Sequence, residues 1–72
     1  MMKDIVFTGL LYNSKGIVTR RIQVVKLTEK HFDVEDANES TEHSSVVLAS
    51  GFTLRGAIDA FFESENLLIE PR

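Results

Sequence analysis

The sequence predicts an α+β fold: a four-stranded antiparallel β-meander with one amphipathic helix packed on one face and a short C-terminal strand or tail. Three observations predict it. Asp4 to Leu27 holds two β-rich runs on either side of Asn13, Ser14, Lys15 and Gly16, the composition of a hairpin. His31–Asp36 and Ser45–Ser50 are shorter runs of strand type, with a polar segment between them. Leu54, Ala57, Ile58, Phe61 and Phe62 then recur at the i, i+3, i+4, i+7 and i+8 spacing of a single helical stripe.

Each element follows from its residues. In the first strand Ile5, Phe7 and Leu11 share one parity, and Val6, Leu10 and Tyr12 share the other. Both sets are apolar, which predicts a strand covered on both sides. Gly9 marks a bulge or a close approach of another backbone. Asn13 and Gly16 bracket the connection, and Gly16 can take a positive φ near its end. In the second strand Val18, Ile22 and Val24 alternate against Ile17, Val25 and Leu27. Strict alternation would set Arg20 among apolar neighbours, which a bulge near Arg20–Arg21 or strong bending, as in a small barrel, would relieve.

Thr28, Glu29 and Lys30 make the next turn. Beyond it, Phe32 and Val34 alternate with His31, Asp33 and Glu35. Asp36 to Ser45 is polar enough to read as a solvated loop. The helix begins at Thr53, a good N-cap residue, with Phe52 placed to pack back on the first turn and Gly56 able to permit close helix–sheet contact. Asn66 suits a helix end, after which Leu67, Leu68 and Ile69 read as the short strand or tail, stopped by Pro71.

Composition bounds the function. A chain of 72 residues reads as a single domain over 1–72, near the lower size for independent folding, and with no cysteine it has neither disulfides nor a thiolate zinc site. The formal charge of −3 does not favour bulk binding of a polyanion. No apolar run has the length of a membrane span, and the N-terminus lacks the pattern of a signal peptide, so the default expectation is a cytoplasmic protein away from membranes.

No catalytic residue, cofactor site or metal site is expected. His31 and His43 lack the helical i, i+4 partner of a zinc site, and Asp33, Glu35, Asp36, Glu39 and Glu42 fit no calcium loop and read as solvated charge. His43, Ser44 and Ser45 are neighbours in a polar loop, which does not hold reactive geometry. Phosphate-binding and dinucleotide-binding glycine motifs are absent, and so small a chain has little volume for a substrate pocket. The expectation is no enzyme and no small-molecule substrate.

Two interaction surfaces remain. One short helix covers only one side of a four-stranded sheet, so Val6, Leu10 and Tyr12 are left as a candidate partner interface, to be covered by a second copy or another protein. That makes a non-catalytic interaction module, as a homo-oligomer or with a protein partner, the first expectation. The alternative is a small nucleic-acid-binding regulator, with Lys15, Arg20, Arg21 and Lys26 on the hairpin contacting phosphates and Tyr12 stacking on a base.

Overall fold

A computed structural model describes residues 3–69, and for residues 66–69 the backbone alone. The elements run β1 (Ile5–Tyr12), β2 (Val18–Thr28), β3 (His31–Asp36), β4 (Val47–Gly51) and α1 (Leu54–Ile69). The strands form one open antiparallel sheet in the order β1-β2-β3-β4, with α1 packed against it. The expected α+β meander is therefore the fold.

The hairpin between β1 and β2 closes as its residues dictate. The Asn13 side-chain Oδ1 accepts from the backbone N–H of Lys15 at 2.8 Å and of Ile17 at 3.1 Å, while Gly16 N–H donates to the Asn13 carbonyl at 3.0 Å. Gly16 takes φ +80°, the left-handed region that a side chain penalises. A short side chain that bonds its own backbone and a residue free of Cβ strain together define this turn.

Register departs from simple alternation at two places in the hairpin. Ile5 pairs with Val25 but Phe7 with Val24, so Val6 is an extra residue in β1. Leu11 pairs with Arg20 but Tyr12 with Val18, so Thr19 is an extra residue in β2, one position before the expected bulge. Because directly paired residues share a face, Phe7, Gly9 and Leu11 lie on the helix side with Val24, Ile22 and Arg20. Ile5, Leu10 and Tyr12 lie on the far side with Val25, Arg21 and Val18. The predicted grouping of Ile5 with Phe7 and Leu11 is thus corrected by the bulge at Val6. Gly9 carries no bulge, and a Cβ there would meet the Phe7 ring at 3.2 Å rather than another backbone.

The core forms between the centre of the sheet and the helix: Ile22, Val24 and Val34 against Ala57 and Phe61, bordered by Leu11, Phe32, Leu48, Ala49, Leu54 and Ile58. Thr53 caps the helix as expected, its Oγ1 accepting from Gly56 N–H at 2.9 Å. Three expectations fail here. Phe52 is 80% exposed and packs on nothing in the first turn. The close helix–sheet contact is made by Gly51, where a Cβ would stand 2.5 Å from the Ala57 nitrogen, whereas a Cβ on Gly56 would meet only the Thr53 hydroxyl. The helix also continues through Asn66 to Ile69 in place of a fifth strand. Asparagine is tolerated within a helix at a fraction of a kcal/mol, and the apolar spacing runs on in sequence to Leu68 and Ile69. Pro71 lies outside the described residues.

The helix crosses β4 and reaches β3 and part of β2, but among the described residues its backbone does not approach β1. The molecule is long and narrow, 39 × 21 × 17 Å.

Two glycine substitutions separate backbone strain from steric exclusion. Gly16→Ala meets no neighbouring atom and should cost only the left-handed backbone penalty, about 1 kcal/mol. Gly51→Ala must move the helix and should cost about 1–3 kcal/mol. Urea denaturation followed by circular dichroism checks the order; equal losses would contradict it.

Candidate interaction surface

β1 is an edge strand of eight residues, Ile-Val-Phe-Thr-Gly-Leu-Leu-Tyr, without a charge or a proline. Natural edges are ordinarily short, charged, proline-interrupted or covered, because unpaired backbone groups recruit other strands. The opposite edge, β4, is five residues long and lies under α1. β1 has none of these devices, and its one irregularity towards β2 before the turn end is the Val6 bulge.

The three residues expected at a partner interface are all exposed: Val6 at 40%, Leu10 at 43% and Tyr12 at 59%. Leu10 and Tyr12 lie on the far side of the sheet, and Val6 is the extra residue of the bulge. Ile5 and Val18, unforeseen as members, join them through the register shifts, and Phe7 is half-exposed on the helix side where α1 does not reach. β1 therefore presents apolar side chains on both faces and an open backbone edge between them.

The far side is not apolar throughout. At its centre the Glu35 carboxylate is buried, with the residue 2% exposed. Its Oε1 accepts from Lys3 Nζ at 2.9 Å and from Gln23 Nε2 at 2.9 Å. Lys3 also donates to the Ser45 hydroxyl at 3.0 Å and the Ser44 carbonyl at 3.3 Å, tying the N-terminal segment to the loop between β3 and β4. Burial alone would raise the Glu35 pKa, but hydrogen bonds from Lys3, Gln23 and Ser45, with the Lys3 charge, outweigh it and hold the carboxyl below its ordinary value. The expectation of solvated charge fails for Glu35. Its place in β3 was readable from alternation; its partner Lys3, distant in sequence, was not.

The other acidic residues are dispersed. Asp36 Oδ1 accepts from the backbone N–H of Asn38 and Glu39 in a loop turn, and Asp33 Oδ1 stands 2.9 Å from His31 Nε2. Among the described residues no cluster of His, Asp and Glu could hold a metal ion, and no helix is long and apolar enough to cross a membrane.

The basic hairpin set does not form one surface. Arg20 stays on the helix side, where its Nη1 donates to Glu65 Oε2 at 2.6 Å, so the bulge at Thr19 leaves it among apolar neighbours and an ion pair satisfies it. Lys26 pairs with Glu29 at 3.2 Å. Arg21 shares the far side with Leu10, and Lys15 is exposed in the hairpin turn. Two of the four charges are partnered by carboxylates, and the arginines face opposite ways.

The Glu35 site sets an acid limit on stability. A carboxyl whose pKa is lower folded than unfolded contributes stability at neutral pH, and this is lost as pH falls below about 4.5 and through the lower folded value. Glu35→Gln should flatten this acid limb of a denaturation series. Lys3→Met, which strands the buried carboxylate, should cost about 1–3 kcal/mol at pH 7 and less at acid pH. An unchanged acid limb in Glu35→Gln would contradict the assignment. No family model, curated protein or solved structure matches this chain.

Proposed function

We propose that this protein is a non-catalytic interaction module that docks a protein surface through the apolar side of its first hairpin. The observation that carries the reading is the cluster of Ile5, Leu10, Tyr12 and Val18, all substantially exposed and brought to one side of the sheet. Isolated apolar side chains at a surface are ordinary, but Leu10, Tyr12 and Val18 adjoin one another at the turn end of the hairpin, the kind of patch that partners cover, with Ile5 beyond Thr8 on the same side.

The chemistry of the described residues favours no reaction. Glu35 is held by structural hydrogen bonds, and its pKa is lowered, the wrong direction for a general acid. The phosphate-binding alternative has less support, since Arg20 and Lys26 already face Glu65 and Glu29. Nucleic-acid readers ordinarily gather such charges on one face.

An apolar fluorescent dye, titrated at low protein concentration, tests the reading. Dye fluorescence is expected on the native protein, and the double variant Leu10→Ser, Tyr12→Ser should lose most of it while keeping its far-ultraviolet dichroism. A native protein that binds no dye would remove the reading.

A further inference from the structure

We infer that the open edge of this hairpin is closed by a second copy of the chain, paired antiparallel along β1 about a two-fold axis through Gly9, so that two four-stranded sheets become one of eight strands. The inference rests on the docking module proposed above and names a partner for the strand edge beside its apolar face. A strand edge is completed by another extended backbone, and the second copy offers an edge that is equally long and uncharged.

The two-fold fixes which side chains meet. A continuous antiparallel sheet requires residues of like face to stand opposite each other. With Gly9 opposite its symmetry mate, each Phe7 stands opposite the other chain's Leu11 on the helix side. On the far side each Thr8 stands opposite the other chain's Leu10. The two glycines leave room at the axis, where Phe7 already leans over its own Gly9. The half-exposed Phe7 ring, which α1 leaves bare, thereby gains an apolar neighbour.

Charge agrees with this register. Asp4 precedes β1, and Lys15 lies in the turn just beyond its other end; both are exposed, and neither makes an ion pair among the described residues. Antiparallel pairing about Gly9 brings the start of β1 in each chain, preceded by Asp4, towards the hairpin turn of the other, which holds Lys15. A parallel arrangement would instead bring like charges together. The assembly is also closed. Pairing uses both β1 edges and leaves only the two β4 edges, which are short and flanked by helix.

The protein contains no cysteine, so single introduced thiols report the geometry directly. Light scattering after size exclusion, at rising concentration, should show a mass approaching twice that of the chain. A Thr8→Cys chain mixed with a Leu10→Cys chain should form a disulfide-linked dimer under mild oxidation, because opposed residues bring their Cα atoms within about 7 Å. Leu27→Cys and Val47→Cys, exposed but remote from the edge, should not link. Thr8→Lys should weaken the dimer about tenfold or more with dichroism unchanged. Dimers that link only through Leu27→Cys or Val47→Cys would overturn pairing along β1 and leave the docking module standing. A monomer at every concentration that still binds apolar dye would do the same, whereas a monomer that binds no dye would remove both.

Discussion

The seat of the single helix governs the rest of the structure. Gly51 lets the α1 backbone come close to the end of β4, and the Thr53 cap starts the helix immediately beyond it. From that corner Phe61 and Ala57 pack with Ile22, Val24 and Val34 at the centre of the sheet, with Leu11 of β1 at the border of this core. The helix is committed to one end of the sheet by a contact that no side chain larger than hydrogen would allow. What lies beyond its reach, the β1 edge, is apolar because of sequence and bare because of geometry.

The two sides of the sheet use different means of cohesion. The helix side is held by apolar burial, with Arg20–Glu65 at its margin. On the far side a buried carboxylate is held by a lysine from the N-terminal segment and an amide from β2. Such a cluster is costly unless every polar atom is satisfied, and among the described residues no buried side-chain nitrogen or oxygen lacks a partner. It divides the far side into a polar centre and an apolar flank, and the flank belongs to the hairpin.

Much of this was legible in the residues. The Asn13–Gly16 turn, the alternation of Phe32 and Val34 and the Leu54–Phe61 stripe each carry a local signature, and together they give the meander and its helix. Local signatures could not place the bulge at Val6, which moves Ile5 across the sheet, because a run apolar in both parities fits either phase. Nor could they show Lys3 over Glu35, a contact of tertiary origin. The helix runs past the end expected at Asn66 because asparagine serves both as a terminator and as an ordinary helical position. Val6, Leu10 and Tyr12 read as uncovered from the sequence and are exposed, while Ile5 and Val18 enter that group only through register.

The strand order has a kinetic corollary. Each strand bonds to the one made just before it, and the helix settles mainly on the strand that immediately precedes it. No crossover must be threaded, and the chain can zip from one turn to the next with small loop-closure entropy at each step. Topology of this kind places the molecule among the faster folders for its sheet content. The long tethers, Lys3 to Glu35 and Arg20 to Glu65, tighten a frame that nearest-neighbour pairing has already drawn.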